Sequence, residues 1–232
     1  MGKVVIVEGL IGAGKSSLSQ ELAGALGDKT LLLMEPDEKD DANPYLASFY
    51  EDQDRWAFTM QAHLLQARYR MHLQAQWHAM NKYGDAVMDR SYFGDTAFAR
   101  LQLAMGAMST KEFDTYKSLY HAMTASVLLP NVCVRLLVSP EVAAHRIHRR
   151  MELQTGRKCE NVISLKYLED LDTEISHVTD VLRHQGVTIL DVPWDVERNT
   201  EGDRKQAVDG LASRIQEVRA MNPLLDYHRR TL

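Results

Sequence analysis

Five short apolar runs punctuate the chain, at Val4 to Val7, Thr30 to Met34, Ala86 to Met88, Val132 to Val138 and Val187 to Leu190. Runs this short and this evenly apolar predict strands buried on both faces. Between them apolar residues recur at helical intervals, as in Leu18, Leu22 and Ala25. The spacing predicts helices at Ser17 to Leu26, a short one opened by Pro44, and a long one from about Arg55 to Lys82. Two more follow, broken near Gly106 to Ser109, then one opening near Glu141, one over Leu165 to Arg183 and a last over Asp203 to Val218. Strands alternating with helices predict an α/β fold, a five-stranded parallel sheet flanked by helices on both faces, as a single domain over residues 1–232.

The first strand runs into Gly9-Leu-Ile-Gly12-Ala13-Gly14-Lys15-Ser16, which satisfies G-x-x-x-x-G-K-[ST] between a strand and a helix. Glycines let successive N–H groups turn inward, and the helix N-terminus adds its positive end, so the loop predicts a polyphosphate site. Gly9, Gly12, Ala13, Gly14, Lys15, Ser16 and Ser17 would form the ATP cradle. Lys15 would reach the β- and γ-phosphates, and the Ser16 hydroxyl would ligate Mg²⁺. These features predict a P-loop fold.

In open parallel sheets ligands gather at the carboxyl ends of the strands. The second predicted strand delivers Glu35-Pro36 there, and the third delivers Asp89-Arg90-Ser91. Glu35 is placed to take a proton from an attacking hydroxyl, and Asp89 to hold the metal with Ser16.

Composition narrows the partners. A formal net charge of −5 argues against a sequence-independent nucleic-acid binder, so the phosphates handled should be small. No apolar run is long enough to span a bilayer, so no membrane partner is expected. The two cysteines, Cys133 and Cys159, predict neither a disulfide framework nor a zinc cluster, which fits a cytoplasmic compartment. His145 and His148 share a helix face with no carboxylate or cysteine at matching offsets, which predicts a solvated surface.

Taken in order, Glu8 to Ser17, Glu35-Pro36, Asn43-Pro-Tyr-Leu46, Phe49-Tyr50, Trp56 to Gln61, Asp89-Arg-Ser91 and Leu165-Lys-Tyr-Leu168 resemble the deoxynucleoside kinase family. The likeness is to its deoxycytidine, deoxyguanosine and deoxyadenosine kinase branch, of bacterial or phage type. The resemblance implies a P-loop kinase fold and transfer of the ATP γ-phosphoryl to the 5′-hydroxyl of a deoxynucleoside, with a purine or cytosine base, by a homodimer. It further implies that Glu35 is the general base, that Arg90 steadies it and the transferred phosphate, and that Tyr50 and Glu160 grip the 3′-hydroxyl.

Gln61 and Arg68 lie seven residues apart on the long helix, roughly 700° of rotation, and so point the same way. Both are expected to face the base pocket, with Asp95 holding the arginine. The segment from about 149 to 161 reads as an Arg-rich lid whose Arg157 would join the catalytic set, with Arg146, Arg149 and Arg150 nearby. Asp89 stands where the family usually has Glu, and Ala99 where a base-stacking Phe is common, leaving Phe98 as a substitute. Two rivals stay open. A thymidylate kinase shares the phosphate loop but usually has an Arg before Glu-Pro, where this chain has Met34; a non-catalytic interaction subunit would be expected to lose Lys15 or Glu35.

Overall fold

The computed structural model describes residues 1–35, 43–153, 163–196 and 201–226. Its strands are β1 (Val4–Glu8), β2 (Leu31–Leu33), β3 (Ala86–Asp89), β4 (Val132–Leu137) and β5 (Thr188–Pro193). They form one parallel sheet in the order β2-β3-β1-β4-β5. Helices α1 (Lys15–Leu26), α2 (Leu46–Glu51), α3 (Gln53–Met80), α4 (Asp95–Ala104), α5 (Thr110–Thr124), α6 (Pro140–Leu153), α7 (Leu165–His184) and α8 (Glu201–Glu217) flank it.

The sheet sits where the apolar runs predict, because every residue of β1 and β3 is buried and only covered strands tolerate that composition. Helix α1 packs on α8, while α3, α4 and α7 form a second helical group, which gives the two-sided cover. The expected boundaries shift by a few residues for local reasons. Helix α3 opens at Gln53 because the Asp52 carboxylate accepts the Arg55 N–H at 3.1 Å, a cap that fixes the first turn. Helix α5 begins after Ser109, whose side chain forms a capping box with Glu112. Pro44 lies in a turn ahead of α2 rather than inside it.

Strand order reverses around β1, which lies between β3 and β4. A crevice therefore opens beyond the carboxyl ends of β1 and its neighbours, where connections leave in opposite directions.

Candidate active site

The loop after β1 takes its shape from its glycines. Gly12 has φ +80° and Gly14 φ +90°, conformations that side chains resist. A Cβ on Gly12 would also stand 2.7 Å from the Ala143 carbonyl of α6, so the close approach needs hydrogen there. Lys15, the first residue of α1, turns its Nζ back to donate to the Leu10 carbonyl at 2.7 Å. Burial, together with the Arg90 charge, lowers its pKa to about 7. A polyphosphate here would restore the ammonium.

Asp89 ends β3 and accepts the Ser16 hydroxyl on Oδ2 at 2.5 Å. Its Oδ1 is buried without a hydrogen-bond partner, and burial pushes the carboxyl up. A hydroxyl oxygen and a carboxylate with a spare buried oxygen, side by side at a phosphate loop, suit a hard divalent cation such as Mg²⁺.

Arg90 adopts a left-handed backbone, φ +64°, unusual for a residue with a side chain. Three hydrogen bonds hold it: its N–H donates to Val7 O at 3.1 Å, one guanidinium nitrogen to Gly9 O at 3.2 Å, and Nε to Glu35 Oε2 at 3.0 Å. The twist turns the side chain across the crevice onto Glu35, at the end of β2. Glu35 is bound on its other oxygen by Arg68. Burial alone would raise its pKa, but Arg68, Arg90 and Lys15 outweigh it and bring the carboxyl down to about 2.

Arg68 also donates to Asp95 Oδ1, and Gln61 Nε2 donates to Asp95 Oδ2 at 2.8 Å and to its backbone oxygen at 3.2 Å. The helical spacing thus brings Gln61 and Arg68 together as expected, and Asp95 holds the arginine. Their exposure differs, however. Arg68 lines the crevice, whereas Gln61 is fully buried behind it, with Oε1 unpartnered.

The crevice is a cavity of about 650 Å³ running from Lys15 and Ser16 past Asp89, Glu35 and Arg90 to Arg68 and Tyr50. Phe98 lines it and lies over both guanidiniums, 4.7 Å from Arg90 and 5.5 Å from Arg68, while Ala99 faces the core. Arg146 and Arg150 of α6 also line the cavity; Arg146 donates to the carbonyls of Trp194 and Asp195 at 2.9 and 3.1 Å. Arg157 and Glu160 lie outside the described residues, as does most of the 149–161 segment. Among the described residues, no group of three His, Cys, Asp or Glu side chains could hold a metal, and no helix is long and apolar enough to cross a membrane.

Some members of the site are given no role by the sequence, although Glu8 and Tyr167 lie within its family-like motifs. Tyr167 of α7 lines the cavity near Arg90. Tyr116 of α5 donates to Asp95 Oδ2 at 2.5 Å. Glu8, buried at the end of β1, accepts from Ser91 Oγ at 2.6 Å; burial raises its carboxyl against the opposing Arg90 charge.

A phosphate loop, a carboxylate clamped by two arginines and a second carboxylate beside the loop serine define a phosphotransferase site on a parallel α/β scaffold. The family model "Deoxynucleoside kinase" matches residues 5–216. The deoxyadenosine/deoxycytidine kinase of Bacillus subtilis is 33% identical over 215 residues, 92% of this chain and 94% of that protein. A deoxyguanosine kinase of Dictyostelium discoideum is 32% identical over 193 residues; these cover 83% of this chain and 64% of that longer protein. In fold, the chain superimposes on deoxyadenosine kinase from M. mycoides with bound dCTP with a TM-score of 0.73, at 23% identity, covering 92% of this chain and 98% of that one. The chain belongs to the deoxynucleoside kinase family, whose members are ATP-dependent enzymes that phosphorylate deoxynucleosides.

Proposed function

We propose that this protein transfers the γ-phosphoryl group of ATP to the 5′-hydroxyl of a purine deoxynucleoside or deoxycytidine. The observation that carries this reading is the continuous cavity joining the phosphate loop to the Glu35–Arg68–Arg90 cluster. Its lining brings the phosphate-loop residues Lys15 and Ser16 and the carboxylate of Glu35 to one space of about 650 Å³, as transfer from a donor polyphosphate to an acceptor hydroxyl requires.

In this reading the Gly9 to Ser17 loop cradles the donor phosphates, and Lys15 offsets charge on the β- and γ-phosphates. Glu35 accepts the hydrogen of the 5′-hydroxyl. With a pKa of about 2 it is a weak base, so the proton leaves the hydroxyl late, after much of the new O–P bond has formed. A loose phosphoryl-transfer transition state asks for no more, because little charge develops on the attacking oxygen early. Arg90 keeps the carboxylate in place and stands close enough to share the charge of the moving phosphoryl. Ser16 and Asp89 would hold Mg²⁺, which would offset the charge of the donor phosphates when bound.

At the other end Tyr50, with Glu160, grips the sugar, while Arg68, which lines the cavity, faces the base, and Gln61 and Asp95 stand buried behind it. Gln61 Nε2 donates to two acceptors of Asp95, which leaves Oε1 unpartnered; base insertion that uncovers this oxygen would give an acceptor suited to an exocyclic amine. Adenine, cytosine and guanine carry such amines; thymine does not. The 149–161 lid, with Arg157, closes over the phosphates, in a cytoplasmic homodimer of single-domain subunits. Met34 lines the cavity just before Glu35, where an acceptor phosphate would call for a cation, so a nucleoside acceptor is favoured over a nucleotide.

The test is transfer from labelled ATP with Mg²⁺ to deoxyadenosine, deoxyguanosine, deoxycytidine, thymidine, ribonucleosides and deoxynucleoside monophosphates. Monophosphates formed from amine-bearing deoxynucleosides, and lost in Glu35→Gln, are expected. Transfer only to thymidylate, or ATP binding without transfer, would overturn the reading.

A further inference from the structure

The carboxylate of Asp95 is fully buried and accepts from two helices. From α3, Arg68 reaches Oδ1 and Gln61 Nε2 reaches Oδ2; from α5, the Tyr116 hydroxyl reaches Oδ2 at 2.5 Å. Arg68 and Gln61 engage both carboxylate oxygens from α3; the Tyr116 hydroxyl adds a third donor, from α5, and so ties the carboxylate plane to a second helix. Tyr116 is itself held, 1% exposed, with its ring stacked beside Phe113 and Tyr120 at centroid distances of 6.2 and 6.5 Å.

We infer that Tyr116 is a positioning residue for base recognition: its hydroxyl fixes the plane of Asp95 and, through Asp95, the Gln61 amide and the Arg68 guanidinium. The inference rests on the proposed reading of Gln61 and Arg68 as base-reading groups. Tyr116 does not line the catalytic cavity, so its effect must pass through Asp95. The hydroxyl also matters for which end of Gln61 is free. A carboxylate turned out of plane would loosen the contact that commits Nε2 to Asp95 and leaves Oε1 unpartnered.

The experiment measures kcat and both KM values, with the thermal unfolding midpoint, for the full-length wild type, Tyr116→Phe, Asp95→Asn and the double variant. Phe keeps the ring and its stacking. In Tyr116→Phe the KM for the deoxynucleoside is expected to rise about tenfold, the effect of one hydrogen bond to a charged group. The KM for ATP and kcat should stay within about twofold, since the donor site is untouched. In the Asp95→Asn background, removing the Tyr116 hydroxyl should add nothing further to the deoxynucleoside KM.

Equal losses in both backgrounds, or a parallel fall of kcat with an unchanged KM, would overturn the inference. A Tyr116→Phe protein that no longer folds would assign the hydroxyl to the fold and overturn it too. Wild-type protein that phosphorylates no deoxynucleoside would overturn the underlying reading, and this one with it. Wild-type activity with an unchanged KM in Tyr116→Phe would overturn this inference alone.

Discussion

Arg68 stands between two carboxylates, donating through one nitrogen to Glu35 at the end of β2 and through another to Asp95 at the start of α4. The guanidinium thereby ties Glu35, which lines the cavity, to Asp95, buried behind it. A planar fork can span two acceptors that a point charge cannot. Arg68→Lys is therefore expected to raise the deoxynucleoside KM by about tenfold or more, with a further loss in kcat as Glu35 loses a partner. Steady-state kinetics with both substrates varied will check it; an unchanged KM would mean that one ammonium suffices.

Glu35 carries its charge throughout the physiological range because two guanidiniums outweigh its burial. Glu35→Gln keeps the shape but has no site for the proton. A fall in kcat of about 10²- to 10⁴-fold is expected, the usual span for a positioned acid or base. ATP affinity should persist, because the phosphate loop does not depend on that carboxylate. Glu35 itself should add no acid limb to the pH profile above about pH 4, since a group titrating near 2 is still ionised there. A limb from Asp89, whose carboxyl burial raises, should persist in the residual activity of Glu35→Gln; a limb above about pH 4 that vanishes in that variant would contradict the assignment.

Much of this was legible from the residues. The burial of β1 and β3 follows from their apolar residues, which run unbroken up to the terminal Glu8 and Asp89, and the seven-residue spacing of Gln61 and Arg68 put both side chains on Asp95. Other features were not. No periodicity marks Tyr116, which reaches Asp95 from another helix across 21 positions, nor the left-handed twist that aims Arg90. Spacing fixed the direction of Gln61 but not its depth, because burial depends on what α4 lays over α3. Contacts between elements distant in sequence are products of packing, and local pattern carries no record of them.

Lys15 offers a signature of the donor site in proton balance. In the folded protein its pKa is about 7, lowered first by burial and then by Arg90. A bound polyphosphate favours the charged amine and raises that value. At about pH 6 the amine is charged before and after ATP binds, and this group moves no proton. At about pH 8 the empty site is largely neutral, so binding should draw a proton from buffer and affinity should weaken as pH rises. Calorimetry in two buffers of different ionisation enthalpy will show that uptake, and Lys15→Met should abolish it. Uptake that persists in the variant would assign the proton elsewhere.

Gly94 exists for Glu8 rather than for backbone freedom. It has an ordinary helical φ of −64°, yet a Cβ built on it would overlap the Glu8 carboxylate, lying 2.6 Å from Oε2. That carboxylate has little room to retreat, being 2% exposed and held by Ser91 Oγ at 2.6 Å. Gly94→Ala should therefore destabilise the protein by about 1–3 kcal/mol, the range for forcing a methyl into a packed interior. For a chain of this size that lowers the unfolding midpoint by several degrees. Because Glu8 ends β1 and leads into the phosphate loop, the KM for ATP should rise as well. Gly24, exposed within α1 with nothing within 4 Å of a built Cβ, supplies the contrast. Gly24→Ala should stabilise by about 0.5–1 kcal/mol through helix propensity alone and leave the ATP KM unchanged. If the two variants melt alike, the Glu8–Gly94 contact does not govern this corner of the site.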